Sequence, residues 1–188
     1  MILVHTCCAD CLHKFIASIK ATPGYDGALI TAYFSNPNIH PQSEFTSRQM
    51  ALKHVTDELH IPLIVDNWMP KTYFAAMHSL DESARKDAII RCPKCWTLRL
   101  TNAISYAATH GYDTVSTTML TSHYMNGDTI ERIGQGIAIK HGVRFLRPTA
   151  VECEIKTAGF YKQNYCGCVY SLLERLEEKY LTPSPEII

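Results

Sequence analysis

The sequence predicts an α/β fold, because short apolar runs alternate along the chain with segments of helical periodicity. The first apolar run, 2–4, has the character of a buried strand, and the apolar positions within 12–19 fall on one face of a helix. Strands that alternate with helices form a parallel sheet covered on both faces. We therefore expect a single Rossmann-like (HUP-like) α/β domain over residues 1–188, with about five largely parallel strands and helices on both faces.

The first half of the chain supplies two more strands and a long helix. A turn cluster at 23–27 precedes a second strand at 28–34, which is apolar enough to be buried on both faces. The loop at 35–41 contains two prolines, which fix φ. A helix with apolar residues at helical spacing follows at 42–59. The third strand is expected at 61–65, with its proline near the start, where a missing donor is tolerated.

The second half continues this alternation around a charged connector at 81–87, to which the pattern assigns no structure. Pro93 suits the first turn of a helix that begins at the second cysteine pair, and Ser171 with Glu174 predicts a capping box. The tail 181–188 is expected to be peripheral, because its two prolines cannot continue a helix. The remaining helices are expected around 71–79, from Cys92 onward, at 129–140 and at 171–180, and the remaining strands at 113–119 and 143–147.

Composition and charge narrow the class of protein. A hydrophobic fraction of 46% and a charged fraction of 19% are those of a soluble globular protein. No apolar run is long enough to cross a membrane, and no basic segment precedes the first apolar run, so we expect a cytoplasmic protein. A net charge of zero argues against a protein that coats nucleic acid. One local basic patch is nonetheless present, formed by Arg85, Lys86, Arg91, Lys94 and Arg99.

Seven of the eight cysteines fall into three groups: Cys7, Cys8 and Cys11; Cys92 and Cys95; Cys166 and Cys168. Each group precedes a helix, so all three could meet at one edge of the sheet, and free amides at the start of the first helix are expected to lower the thiol pKa values of the first group. In a chain with a full-sized core and no export signal, clustered cysteines indicate metal or redox chemistry rather than disulfides. Seven thiols exceed the four of one cluster, which suggests a cluster with either a second metal or a redox dithiol. Cys153 stands apart and is expected to be a packed thiol.

Cys7, Asp10 and His40 are the candidate catalytic residues. Asp10 would add a hard oxygen ligand to a set of thiolates, which suits iron, but an acid in the first turn of a helix also complements the helix dipole. His40 could be a metal ligand or a proton donor, but a histidine in a turn beside two prolines can also be a capping group.

Taken together, the motifs of the chain resemble those of the QueH family of epoxyqueuosine reductases. The resemblance runs in order along nearly the whole chain. The residues that carry it are 5–11, 36–41 with Glu44, Phe45 and Arg48, 92–96 with Arg99 and Leu100, 117–120, 133–134 and 165–171.

The resemblance implies a cytoplasmic, cobalamin-independent metalloenzyme that reduces the epoxide on a modified wobble guanosine of tRNA, the last step of queuosine biosynthesis. A [4Fe-4S] cluster and an additional mononuclear iron would be the cofactors, and a ferredoxin or flavodoxin the electron donor. The basic patch would hold the tRNA through its phosphates. The implied cofactor ligands are Cys8, Cys11, Cys92, Cys95, Cys166 and Cys168, with Cys7 as a further metal ligand. Asp10 stands where the family usually has proline, and its place as a metal ligand follows from its position among the thiols of the first group. Which four thiols hold the cluster stays open.

Two other functions are compatible with the layout. An ATP-dependent tRNA-thiolation enzyme of the pyrophosphatase type shares the α/β arrangement, but it needs a glycine- and serine-rich phosphate loop where this chain has 6–10. A non-catalytic module that binds RNA and holds zinc or a cluster would also use paired cysteines.

Overall fold

The computed structural model describes residues 1–122, 125–150 and 164–181. It confirms the predicted α/β fold: five parallel strands form one open sheet in the order β3-β2-β1-β4-β5. The strands are β1 Ile2–His5, β2 Ile30–Phe34, β3 Leu63–Val65, β4 Thr114–Thr117 and β5 Arg144–Phe145. The expectations for Cys153 and for the tail beyond Leu181 concern residues outside the described ranges.

Helices cover both faces of the sheet, as the alternation predicts. They are α1 Ala9–Ala21, α2 Gln42–Glu58, α3 Pro70–His78, α4 Glu82–Lys86, α5 Ala88–Thr109, α6 Gly127–His141 and α7 Val169–Tyr180. Successive side chains of β1 point to opposite faces, so Ile2 and Val4 pack with α1 and α2 whereas Leu3 packs with α5 and α6. None of these described helices is long and apolar enough to span a membrane.

The helix that carries the second cysteine pair begins earlier than its sequence suggests. It starts at Ala88 because the Asp87 carboxylate accepts a hydrogen bond from Ile89 N at 2.8 Å, which caps the first turn. Pro93 therefore lies inside α5 and not in its first turn. The charged connector is also ordered: Asp81 caps α4 by accepting from Ala84 N at 2.8 Å.

Two further boundaries differ from the sequence pattern. The last helix begins at Val169, and its N-cap is Cys168, whose sulfur accepts from Ser171 N at 3.3 Å. The predicted capping box at Ser171 is therefore wrong, since a thiol takes the place of the hydroxyl. The fourth strand ends at Thr117, where the Thr117 hydroxyl accepts from Met119 N and starts a single 3-10 turn, Thr118–Thr121.

Candidate active site

The first cysteine group lies at the carboxyl edge of the sheet, where the central strand β1 ends between β2 and β4. This is the edge at which open α/β sheets bind ligands. The loops that follow the three strands are tied together there. Thr6 N donates to Tyr33 O at 2.9 Å, the amide of Asn36 donates to Thr6 O at 2.8 Å, and Cys7 Sγ lies 3.8 Å from Thr118 Oγ1.

A buried histidine holds two of these loops. His5 Nε2 is 3.3 Å from Ser35 O, and its Nδ1 is 2.9 Å from Thr117 Oγ1. Burial, and then the positive charge of Arg99, lower the pKa of His5 well below its usual value, so the ring is neutral. A carbonyl can only accept, so Nε2 carries the proton and Nδ1 accepts from the Thr117 hydroxyl. His5 therefore has a structural role beside the first cysteine group.

The thiols of the first group interact with one another. Cys7 and Cys8 are buried, and Cys11 is partly exposed on the first turn of α1. Hydrogen bonding to Cys8, and then burial, raise the pKa of Cys7, and hydrogen bonding to Cys11 raises that of Cys8 to about 12. The prediction that the helix start lowers these pKa values is wrong for both residues, because neighbouring thiols and burial outweigh the helix amides. Metal binding at such thiols releases protons.

Asp10 occupies the second position of α1 and does not cap it. One of its carboxylate oxygens, Oδ1, is buried and has no hydrogen-bond partner among the described residues. The same is true of Nδ1 of His13, one turn further along the helix. A buried carboxylate oxygen without a partner is costly in a folded protein, and a metal ion at this point would satisfy it. Asp10 still lies in the first turn of α1, where an acid complements the helix dipole, so its role as a metal ligand stays a prediction.

The other two cysteine groups meet under α3. Cys95 and Cys168 are buried in one cluster with Tyr73 and Met77, and Cys166 packs against that cluster. Cys166 Sγ and Cys168 Sγ are 3.5 Å apart. Burial raises the pKa of Cys95 to about 12, and it also raises that of Cys92, to which the charge of Cys168 adds.

Cys168 is the exception among these thiols. Hydrogen bonds to its sulfur, first from Cys166 and then from Ser171, lower its pKa against the effect of burial. The backbone N–H of Ser171 donates to this sulfur, and the Ser171 hydroxyl lies 3.0 Å from Cys166 Sγ. The first turn of α7 thus favours a thiolate at Cys168, the form that binds metals.

The Cys166–Cys168 segment is held by the loop that follows β2 and by α2. Arg48 donates to the carbonyls of Tyr165 and Cys166, both at 3.2 Å, and its Nε donates to Glu44 at 2.7 Å. His40 N donates to Gly167 O at 2.8 Å. Arg48 and Glu44 are both buried, so their mutual neutralisation lets the guanidinium bind backbone carbonyls inside the protein.

The five residues of the predicted basic patch differ in their exposure to solvent. Lys86 and Lys94 are exposed and Arg85 is half-buried, whereas Arg91 and Arg99 are only 2% and 1% exposed. Arg91 donates to Glu174 at 2.6 Å and lies over the ring of Tyr170. The sequence places these two arginines on the surface, and that placement is wrong, because their side chains face the protein interior.

Arg99 lies among the three cysteine groups. Its guanidinium donates to Asn36 Oδ1 at 2.8 Å. The thiols of Cys7, Cys95 and Cys166, one from each group, raise the pKa of Arg99 against the opposing effect of burial. The convergence of the three groups that the sequence predicts is therefore present around one buried arginine.

His40 lies at the rim of this site within a set of aromatic rings. Its Nδ1 is 2.7 Å from Asn38 O and must donate to it, whereas the buried Nε2 has no hydrogen-bond partner in the described parts of the chain. The rings of Trp68, Tyr73 and Phe74 lie 4.8–5.7 Å from the imidazole between centroids.

Tyr73 is a site residue that sequence reasoning missed. It is fully buried, its hydroxyl makes no hydrogen bond within the described residues, and burial together with the charges of Cys168 and Cys95 raises its pKa. The helix that carries it, α3, is separated from the cysteine motifs in sequence, so no local pattern marks Tyr73.

The donor types of the three cysteine groups and of Asp10 suit a metal centre, since thiolates and carboxylate oxygens are typical ligands of iron. No three His, Cys, Asp or Glu side chains in the described ranges are arranged as ligands of one ion. The ligand roles of the seven cysteines and of Asp10 therefore stay predictions.

Comparison with known proteins identifies the family. The family described as "Epoxyqueuosine reductase QueH" matches residues 2–174 of the chain. A protein of that name from Dehalococcoides mccartyi is 33% identical over 180 residues, which cover 93% of each chain. Another from Thermotoga maritima is 30% identical over 188 residues (94% of this chain and 93% of the relative), and one from Haemophilus influenzae is 30% identical over 180 residues (91% and 71%). The chain belongs to the epoxyqueuosine reductase QueH family.

Proposed function

We propose that this protein reduces the epoxide of epoxyqueuosine in tRNA to the alkene of queuosine. The observation that carries the proposal is the family match across residues 2–174. The reaction consumes two electrons and two protons and releases the epoxide oxygen as water. The site must therefore accept electrons from a donor such as a ferredoxin or flavodoxin, deliver protons, and hold a tRNA nucleotide.

We assign a [4Fe-4S] cluster to Cys92, Cys95, Cys166 and Cys168, and an additional iron to Cys7, Cys8, Cys11 and Asp10. Cys95, Cys166 and Cys168 lie in one cluster with Tyr73, and Cys92 interacts electrostatically with Cys95 and Cys168, which supports a common ligand set. The second set contains the buried Asp10 oxygen that lacks a protein partner. When bound, these groups would supply single electrons and a Lewis acid for the epoxide oxygen.

His40 and Tyr73 are the protein groups best placed to move or share a proton. Because Nδ1–H of His40 is fixed on Asn38 O, only Nε2 is available to take up and give a proton. The surrounding rings of Trp68, Tyr73 and Phe74 limit the access of water to that atom. The hydroxyl of Tyr73 has no hydrogen-bond partner in the described part of the chain, and Tyr73 is buried in one cluster with Cys168.

The tRNA would contact the protein beside the second cysteine pair. Lys94 is exposed and available to phosphate oxygens, Lys86 is exposed but pairs with Glu82 at 2.6 Å, and Arg85 is accessible in part. The target nucleotide would leave its loop to reach the sheet edge, as single-stranded bases do when proteins act on them.

Anaerobic purification with counting of iron and sulfide tests the cofactors, and turnover of epoxyqueuosine-bearing tRNA with a chemical reductant tests the reaction. Cys92→Ser should lose the visible cluster absorbance and the activity, because a hydroxyl replaces thiolate poorly. Cys153→Ser, at the cysteine that stands apart in the sequence, is the matched control and should retain both. A Cys92→Ser protein with a full cluster would remove this residue from the ligand set.

The role of Asp10 has its own test. Asp10→Ala should lower the iron content per chain while sulfide per chain stays nearly unchanged. Asp128→Ala is the control, because Asp128 also lies in the first turn of a helix but is 87% exposed and pairs with Arg147. Equal iron contents in both variants would leave Asp10 with a helix-dipole role only.

A further inference from the structure

Three arginines are buried in the described part of the chain, and one of them differs from the other two. Arg48 pairs with Glu44 and Arg91 pairs with Glu174, both through contacts shorter than 3 Å. No carboxylate of the described residues pairs with Arg99, which is 1% exposed. Nε of Arg99 has no hydrogen-bond partner there, which is also true of Nε of Arg91, so the missing carboxylate is what distinguishes Arg99.

A buried cation without an anionic partner is unfavourable, because its charge loses hydration and gains no ion pair. The hydrogen bond to Asn36 Oδ1 offsets this in part, since an amide oxygen carries only a partial charge. The thiols of Cys7, Cys95 and Cys166 interact electrostatically with Arg99, and the arginine charge adds to burial in lowering the pKa of His5. The positive charge of Arg99 therefore acts mainly on the sulfur atoms of these three cysteines.

We infer that Arg99 is the counter-charge of an anionic metal–thiolate centre and sets its reduction potential. This inference rests on the proposed iron–sulfur centre. Four thiolates leave a [4Fe-4S] cluster with net negative charge, and reduction adds one more. A fixed positive charge beside the cluster stabilises the reduced form more than the oxidised form. Arg99 acts through the cluster and not by contact with the substrate.

The test compares the midpoint potentials of the cluster in three anaerobically purified variants. Arg99→Met removes the charge with little change in length, Arg99→Lys keeps the charge, and Arg132→Met removes one charge from an exposed position of α6. Arg99→Met should lower the ratio of reduced to oxidised cluster at least tenfold at a fixed potential, about 59 mV for a one-electron couple. Arg99→Lys and Arg132→Met should remain within a third of that shift.

Thermal unfolding covers the case in which Arg99→Met assembles the cluster poorly. Loading with iron and sulfide should raise the Tm of the wild type and of Arg99→Lys by more than that of Arg99→Met, because only charged side chains gain an anionic partner. Uptake of the cluster by Arg99→Lys but not by Arg99→Met would support the inference. Equal Tm gains, unchanged potentials, or failure of both variants to load while they stay folded would overturn it. A wild-type protein that takes up no cluster would overturn the proposed cofactor as well.

Discussion

Gly167 lies between two candidate cysteine ligands in a backbone conformation that other residues avoid. Its φ is +107°, and a Cβ at this position would stand 3.0 Å from Ile39 Cγ1 and 3.1 Å from Cζ and Nη1 of Arg48. Neither neighbour can move freely, because Ile39 is in the core and Arg48 is fixed by hydrogen bonds to Glu44 and two carbonyls. Gly167→Ala should therefore strain the backbone and displace Cys166 and Cys168.

The cost of Gly167→Ala has two parts. A non-glycine residue at positive φ costs about 1–2 kcal/mol, and one extra methyl group in a packed site typically costs about 1–3 kcal/mol. The sum is about 2–5 kcal/mol, and for a chain of this size each kcal/mol lowers Tm by about 2–4 °C. The same displacement moves both sulfurs, so we expect the loss of most bound iron in addition to the lower stability.

Urea unfolding and iron counting on anaerobic protein test this reasoning. Gly136→Ala is the matched control, because Gly136 lies in α6 with nothing within 4 Å of its added Cβ. That variant should gain about 0.5–1 kcal/mol of stability and keep its iron. If Gly167→Ala unfolds at the same urea concentration as the wild type and binds the same iron, the close approach of Arg48 and Ile39 does not constrain the cysteine segment.

Three other changes test separate parts of the structure. Glu44→Gln should destabilise the protein by about 3–5 kcal/mol in urea unfolding, because it leaves a buried guanidinium without its carboxylate; a loss below about 1 kcal/mol would mean that water reaches this pair. Gly134→Ala places a methyl group 2.4 Å from the ring of Phe145 and should cost about 1–3 kcal/mol without loss of iron, and a parallel loss of iron would tie this remote contact to the site. Lys94→Glu should weaken tRNA binding and reduce the slope of log affinity against log salt by about 1, whereas Lys140→Glu, in the last turn of α6 at the opposite edge of the sheet, should change neither. Equal slopes for the two variants would move the tRNA surface away from Lys94.

The sequence determines the layers of this fold through periodicity, but the helix starts depend on single capping contacts. Asp81 and Asp87 are the N-caps of α4 and α5. They could not be identified as caps from the sequence, because segment 81–87 contains several charged residues and the same residue types also form ion pairs. Cys168 is harder to anticipate as an N-cap, since a sulfur acceptor is not among the usual capping groups.

Charge is the part of the site that the sequence predicts least well. Arg91 and Arg99 stand among exposed basic residues in the sequence, yet a helix turns them inward. The one available signal is spacing: Arg99 follows Cys95 by four positions, so both lie on the same face of α5. The burial of Arg99 depends on Asn36 and on cysteine groups from distant parts of the chain, and no local sequence pattern predicts those contacts.

The loop after β2 explains how cysteines from three separate segments come together. Asn36 donates to Thr6 O beside the first group and accepts from Arg99, which lies one turn beyond Cys95. At the other end of the loop, His40 N donates to the carbonyl of Gly167, which lies between Cys166 and Cys168. One short loop therefore contacts or adjoins all three groups. Because β1 is paired with β2 along its whole length, the parallel register fixes where this loop begins relative to the first cysteine group. The geometry of the site is thus set mainly by the sheet and this loop, and the cysteines occupy positions that the backbone already defines.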